Sequence, residues 1–563
     1  MKEKIFIYQL LPRLFGNRSN ALIKSGTIEE NGSGKFNDIT SEILVKLKEN
    51  GYTHIWYIGV IAHASATDYT SFGIPKEYPE IIKGKAGSPY AIRDYYDVDP
   101  DLAEDVSNRM VEFQELVKRT HDAGLKVIID NVPNHVARNY NSVNKPLSVK
   151  DLGKDDDKTK SFSSQNNFYY IPNHELDIQL PPDKKHDFHY TEFPAMVTGN
   201  DCFTNRPTQF DWYETVKLNY GIDYLNGKTS YFNPIPDTWK KMKDIMLFWA
   251  DKQVDGFRCD MAEMVPIEFW KWSIPQIKAK YPNIIFIAEI YDPSQYRTFL
   301  DKNCFNYLYD KVGLYDVLRD VSCGYRPSSD ISFTLNNVGD IQDRMLNFME
   351  NHDEQRIASD YFLKEGKRGK AAMILTCSVN KNPVMIYSGQ EFGERGMDEE
   401  GFSGKNGRTS IFDYWSVDTL RRWNNDGKWN DELLTDEEVQ LSTFYSKLLN
   451  LCNQEKAITH GFFYDIMPAN YENQYFDSTC LFAFLRVFED DILLIIVNFD
   501  RFDQECTLFI PDHAYHFINK EVYRSGKLIP LLEKEEEIIF SESQLIKIKL
   551  NTQSGNIFKL IRC

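Results

Sequence analysis

Two acidic residues, Asp260 and Glu289, each close a short apolar run: Val254-Asp255-Gly256-Phe257-Arg258-Cys259-Asp260 and Ile284-Ile285-Phe286-Ile287-Ala288-Glu289. Carboxyls held in pairs can divide a substitution between them. One protonates the leaving oxygen, and the other stabilises or attacks the electron-poor carbon. Runs this short and apolar, bounded by breakers, fit buried parallel strands better than helices. An acid at the C-terminal end of such a strand lies where a parallel barrel places its chemistry. The competing account is a strand-end acid that caps the next helix, and it weakens because two further strands end the same way. Residues 125–130 lead into Asn131-Val132-Pro133-Asn134-His135, and residues 345–349 lead into Glu350-Asn351-His352-Asp353. In chain order the strand ends deliver Asp130 with Asn134 and His135, Arg258 with Asp260, Glu289, and His352 with Asp353.

Bringing these groups together takes a closed parallel sheet. Strand-like runs fall at 5–11, 54–58, 126–130, 256–260, 284–289, 305–309, 346–349 and 384–387, with helical patterns between them. That alternation predicts a (β/α)8 TIM barrel with right-handed crossovers. In one connecting helix, over 236–252, Trp239, Met242, Met246 and Trp249 recur at three- and four-residue steps. Pro236 and Asp237 suit its first turn. The third and fourth strands are about 100 residues apart, far beyond an ordinary βα connection. Within that insert, Lys154-Asp155-Asp156-Asp157-Lys158 reads as a solvated loop, because its acids lack the alternation and glycine of a metal loop. After a helical segment near 439–452 the pattern changes. Runs at 481–488 and 492–499 flank Glu489-Asp490-Asp491, a hairpin signal, and further strands follow at 507–510, 538–541, 544–550 and 557–562. The expected division is a barrel formed by 1–135 and 234–455, an insert at 136–233, and a C-terminal antiparallel β-sandwich at 456–563.

The chain has 563 residues, too many for one compact core, and 42% are apolar. A net charge of −18 argues against nucleic acid or an anionic membrane as partner. The cysteines are nine, an odd number, with no CxxC spacing, and read as reduced core residues of a reducing compartment. The N-terminal Met-Lys-Glu-Lys leads into an apolar stretch too short for a signal peptide, and no run is long enough to span a membrane. A cytoplasmic location is therefore expected.

The segments DNVPNH, GFRCD, IAE and ENHD resemble, in order, the four signature regions of the alpha-amylase family of retaining glycosidases, glycoside hydrolase family 13. Each is weak alone; four in order, each after a strand pattern, are specific. The resemblance implies that Asp260 is the nucleophile and Glu289 the general acid/base, which must hold its proton near neutrality through burial and a neighbouring carboxylate. It implies that Asp353 holds two sugar hydroxyls, that His135 and His352 hydrogen-bond the same sugar, and that Tyr90 stacks beneath it. Arg258, two residues before Asp260 on one strand, faces the same side and would keep Asp260 ionised. The residues alone leave other roles open: a buried ion pair for Arg258, a packed loop aromatic for Tyr90, structural strand-end histidines. In many relatives the aspartate matching Asp130 is structural, and the asparagine matching Asn134 can ligate a calcium ion shared with the insert. No cofactor is otherwise required. Lys217-Leu218-Asn219 and Tyr387-Ser388-Gly389-Gln390-Glu391 resemble further family segments, so the likeness covers nearly the whole chain, with the insert as domain B and the sandwich as domain C. Met264 departs from both the amylase-like and neopullulanase-like members. The expected function is retaining hydrolysis of α-1,4-glucosidic bonds in starch-like or malto-oligosaccharide substrates through a covalent glucosyl-enzyme. The alternatives are a transglycosylase or isomerase of the same family, and a non-catalytic glucan-binding relative.

Overall fold

The computed structural model describes residues 4–180, 190–302, 304–517, 525–540 and 545–562. Eight strands form its centre: β1 (Phe6–Leu10), β2 (His54–Tyr57), β3 (Lys126–Asn131), β4 (Gly256–Cys259), β5 (Ile285–Ala288), β6 (Tyr307–Tyr309), β7 (Met345–Phe348) and β8 (Val384–Tyr387). Each pairs in parallel with its neighbour in chain order, and β1 pairs with both β2 and β8, which closes the barrel. β1, β2, β4, β7 and β8 are buried at every position, as strands covered on both faces must be. All eight expected runs are strands, with ends that differ by two residues at most.

Register positions the acids. Arg258 lies opposite Asp130 on β3 and opposite Ile287 on β5. Beyond the strand ends, Asp260 N–H donates to Asn131 O at 2.9 Å and Glu289 N–H to Cys259 O at 3.2 Å. The two acids therefore leave the barrel at one rim. The outer helix Asp237–Asp251 starts after Pro236 and buries Trp239, Met242, Met246 and Trp249, the face their spacing predicts; Trp249 Nε1 also donates to Tyr95 O at 2.8 Å.

Two excursions rise from that rim. After β2, Ile61–His63 pairs antiparallel with Ile92–Val98, and the loop between them carries Lys83 and Tyr90. The sequence pattern did not indicate this hairpin. After β3 comes the long insert, built on short antiparallel pairs such as His135–Ala137 with Thr215–Lys217 and Tyr170–Ile171 with Ala195–Met196. Its acidic run is only partly a solvated loop. Asp155 makes an exposed ion pair with Lys150, but Asp156 accepts from the Asn167 and Phe168 N–H groups and from the Tyr170 hydroxyl.

The helix Asp436–Gln454 opens with a Thr435/Glu438 capping box and leads into the C-terminal β region. Its strands are β9 (Phe462–Asp465), β10 (Leu481–Phe488), β11 (Asp491–Asn498), β12 (Gln504–Phe509), β13 (Gly526–Pro530), β14 (Ile538–Phe540), β15 (Leu545–Leu550) and β16 (Ser554–Arg562). One antiparallel sheet runs β9-β10-β11-β16-β13-β14, and β12 pairs with β15 in a second ladder. The β10–β11 turn is Glu489-Asp490, because Phe488 pairs with Asp491; Asp491 belongs to the strand, one residue earlier than expected. Positions 541 and 544 of the expected strands, and Cys563, lie outside the described residues; the eight described cysteines are free. The helix Lys370–Ser378 is buried almost all round because it lies between barrel and sheet, packed on β11 and β16. Arg486 on β10, fully buried, fastens the same junction by donating to the carbonyls of Val379, Ala457, Ile458 and Gly461. No described helix is long and apolar enough to cross a membrane.

Candidate active site

At the C-terminal rim of β3, β4 and β5 one guanidinium meets three carboxyls. Arg258 Nη1 donates to Asp260 Oδ1 at 2.7 Å and to Asp130 Oδ1 at 3.2 Å. Its Nη2 lies 2.8 Å from Glu289 Oε2, an ion pair whose angle makes no hydrogen bond. These 2.7 and 2.8 Å contacts, with the ~2.3 Å between nitrogens of one guanidinium, cap the Asp260–Glu289 oxygen separation at about 8 Å. Glu289 is fixed further by Met261 N–H at 2.7 Å and Tyr291 Oη at 2.6 Å. To reach Glu289, Met261 adopts a left-handed backbone, φ 42°, which strains any residue other than glycine. The guanidinium itself is enclosed by the rings of Trp56, Tyr90 and Tyr309 at 5.4, 5.4 and 5.5 Å.

Burial decides the electrostatics. It pushes the Asp130 carboxyl up to about 7 against the pull of Arg258 and a Trp56 Nε1 hydrogen bond. Asp260 is likewise pushed well above the ordinary carboxylate range, by burial first and by Glu289, Asp130 and Asp353 in support. Arg258 makes the bond expected of it, and burial among like charges works against its pull.

His352 stacks on Tyr90 with ring centroids 5.4 Å apart, and its Nε2 lies 2.5 Å from Tyr90 Oη and 3.1 Å from Asp353 Oδ2. Gln9 Nε2 donates to Nδ1 at 3.0 Å, which leaves the ring proton on Nε2, facing Tyr90 and Asp353. Burial, helped by Arg258, lowers His352 to about 3, so the ring is neutral. His135, against Trp212 at 5.2 Å, is lowered to about 3 by burial and by Lys217 and Lys83. Asp353 keeps 45% of its side chain exposed. Together Tyr90, His135, Asp260, Glu289 and Asp353 line one pocket of about 240 Å³. Every residue expected to act on substrate is thus brought to one place, directly or, for Arg258 and His352, through a neighbour that lines it.

The family model for the alpha-amylase catalytic domain matches residues 9–439. The chain belongs to the alpha-amylase family. Its barrel is the catalytic domain of a glycosidase of that family. It is 24% identical over 441 residues to Alpha-amylase 3 of Dictyoglomus thermophilum, covering 74% of each chain. It is also 24% identical over 433 residues to Alpha-amylase MalA of Haloarcula japonica, covering 75% of this chain and 49% of that protein. Among solved structures it shares the fold of an alpha-amylase from Geobacillus thermoleovorans crystallised with acarbose. The TM-score is 0.64 at 18% identity, covering 99% of this chain and 98% of the other.

Within this amylase-family site, Asn134 does not fit a calcium ligand. Its Oδ1 accepts from Lys217 Nζ at 2.9 Å, and Lys217 also pairs with Asp201. Its Nδ2 donates to Gly199 O at 2.8 Å. An ammonium already sits where the ion would have to coordinate, and a second cation beside it would be repelled. Among the described residues no group of three or more His, Cys, Asp or Glu could hold a metal. The sequence reading singled out both Asn134 and Lys217 but gave no sign that they meet. It also passed over Tyr291, the Met261 backbone, Trp56, Lys83, Trp212 and Glu214. Tyr291 stands two residues after Glu289 at the same strand end, and this was the one available signal.

Proposed function

We propose that this protein is a retaining hydrolase of α-1,4-glucosidic bonds in malto-oligosaccharides or starch-like glucans, with Asp260 as nucleophile and Glu289 as general acid/base. The observation that carries the hydrolase reading is the pair of carboxyls at the ends of adjacent strands, held by one guanidinium no more than about 8 Å apart and lining one sugar-sized pocket; that cap admits either stereochemistry, and the family membership is what supports retention. Burial raises Asp130, Asp260 and Asp353 around Arg258, with repulsion from neighbouring acids adding to it at Asp130 and Asp260, so these acids titrate as coupled groups. The reaction requires Asp260 as the anion facing Arg258 and the transferable proton on Glu289.

In the first step an Asp260 oxygen bonds to the anomeric carbon while the glucosidic C–O bond breaks. Glu289 passes its proton to the departing oxygen. In the second step Glu289 takes a proton from water, the hydroxide oxygen bonds to the same carbon, and Asp260 leaves as carboxylate. Two inversions give net retention. Asp353 and the Nε2–H of His352 would hold ring hydroxyls, and Tyr90 would lie against the ring's apolar face. The acarbose bound by the Geobacillus relative supports a glucan as ligand.

The test is maltoheptaose hydrolysis followed by anomer-resolved NMR. The α-anomer must appear first, and Asp260→Asn or Glu289→Gln must each abolish turnover. Initial release of the β-anomer, or near-full activity in Asp260→Asn, would overturn the assignment.

A further inference from the structure

The pocket has a charged wall that the reaction above does not use. Lys83, from the excursion after β2, and Glu214, from the insert after β3, meet with Nζ 2.8 Å from Oε1; their side chains are 14% and 4% exposed. Both line the same pocket as Asp260 and Glu289. Lys83 Nζ also lies near the rings of Tyr213 and Phe412, at 5.9 and 6.0 Å. The loop carrying Lys83 is locked. Gly84, φ +66°, packs so tightly that a Cβ there would come within 2.1 Å of Phe412 O, and Ala86 N–H donates to the same carbonyl at 3.0 Å. Glu214 is anchored by its backbone, whose carbonyl accepts from Arg138 N–H at 2.9 Å.

Two features point to a ligand. Glu214 Oε2 is buried and has no hydrogen-bond partner, an unmet acceptor that costs stability unless something satisfies it. The described residues also give the Lys83 ammonium, a triple donor, no partner besides Glu214. A sugar hydroxyl is both donor and acceptor. Two vicinal hydroxyls can satisfy one free carboxylate oxygen and one free N–H together, whereas an ion would meet a pair whose charges already cancel. Glu214 stands two residues beyond Trp212, which packs on His135, and all three line the pocket. At about 240 Å³ the cavity is smaller than the ~300–1,000 Å³ of sites for drug-sized ligands, which suits a single glucosyl unit.

We propose that the Lys83–Glu214 bridge joins the two walls of the cleft behind the reacting sugar, hydrogen-bonds the terminal hydroxyls of that sugar, and confines the enzyme to the non-reducing ends of α-glucan chains. This rests on the hydrolase reading above. A chain continuing through its O4 has lost that hydroxyl's proton and carries another ring into the bridge, so internal bonds are excluded by both chemistry and bulk.

Three substrates test this: maltoheptaose, the same heptaose capped at its non-reducing end with a 4,6-ethylidene group, and a cyclodextrin, which has no ends. Free maltoheptaose should be cleaved at least about 100-fold faster than the other two. Comparable rates on all three overturn the proposal. In a second arm maltose is titrated calorimetrically into Glu289→Gln protein with and without Glu214→Gln or Lys83→Met. Glu214→Gln preserves shape, so it remains informative if Lys83→Met folds poorly. Each added change should weaken maltose binding about tenfold, and unchanged affinity overturns the proposal. If even free maltoheptaose is untouched, the hydrolase reading has failed, and the titration still decides whether the bridge binds a terminal sugar.

Discussion

Replacing Arg258 with methionine removes the guanidinium that contacts Asp260 at 2.7 Å, Glu289 at 2.8 Å and Asp130 at 3.2 Å. Breaking a buried ion pair by deleting one partner costs about 3–5 kcal/mol when the remaining charge stays ionised. The carboxyls have an alternative, which is to take up protons. Asp130 is already raised to about 7 with Arg258 present, and losing the cation raises it and Asp260 further. A carboxyl whose folded pKa is raised contributes stability that is complete below its unfolded value, 3.8 for an aspartate, and is lost as pH rises through the folded value. The variant should therefore be nearly as stable as the parent at pH 5 and clearly weaker at pH 8. Unfolding entropy of about 2.1 cal/mol/K per residue gives roughly 1 kcal/mol/K for a cooperative unit of this size, so about 3–5 kcal/mol becomes a Tm drop of about 3–5 °C. Calorimetric melts at both pH values measure it. Turnover of maltoheptaose should fall about 10²–10³-fold, the usual loss when one preorganised electrostatic contact to the reacting centre is removed. Arg258→Lys separates charge from shape: it should recover part of the Tm, but little of the rate, because one ammonium cannot span two carboxyls as the planar fork does. Equal Tm losses at pH 5 and pH 8, or an Arg258→Met rate within tenfold of the parent, would refute this account of the cluster.

Chelation should leave both Tm and maltoheptaose turnover unchanged, because Lys217 Nζ occupies Asn134 Oδ1; an EDTA-sensitive melt would contradict that. Lys217→Met, by contrast, should lower Tm at every pH near neutrality, since it leaves the buried Asn134 Oδ1 without its donor. In the parent protein, burial raises Asp99, Glu350 and Glu391 to about 7 and lowers His54 to about 3 and His63 to about 4. A lowered histidine contributes stability that is present above 6.5 and lost as pH falls toward its folded value, so the two sets oppose each other below 6.5. With three such acids against two such histidines the fall is only partly offset below 6.5, so calorimetry should find Tm falling gently near about pH 5 and more steeply around 6.5. Arg486→Leu strands the carbonyls of Val379, Ala457, Ile458 and Gly461 at about 1–3 kcal/mol for each one left buried. The expected result is an earlier, separate unfolding transition for the C-terminal sheet, and a single unshifted melt would show that the junction does not depend on it.

The parts of this site that could be read from the sequence share one property: their geometry follows from neighbours along the chain. Asp260 and Glu289 stand at fixed offsets from apolar strand runs, so once the runs pair in register the acids must emerge side by side. Arg258 faces Asp260 because alternation on one strand places it there. Other features could not be found this way. The hairpin Ile61–His63 with Ile92–Val98 contains a register irregularity that blurs the alternation a strand reading needs. Lys83 and Glu214 come from different excursions and carry no local signature, since a lone lysine and a lone glutamate in loops read as solvated surface. Lys217 was visible as part of a short motif, yet its meaning depends on facing Asn134 across an antiparallel pair. Burial, finally, is a property of the folded whole, which is why the pull of Arg258 on Asp260 was foreseeable and the opposing push of desolvation was not. This division has a consequence for the family. The acids that break the bond are tied to the barrel, where a change disrupts strand pairing and packing together. The residues proposed to select a chain end, Lys83 and Glu214, are tied only to loops that tolerate length and sequence change. Relatives with the same four strand ends can therefore differ in what they cut, and the difference is to be sought at contacts such as Lys83–Glu214, where two loops meet.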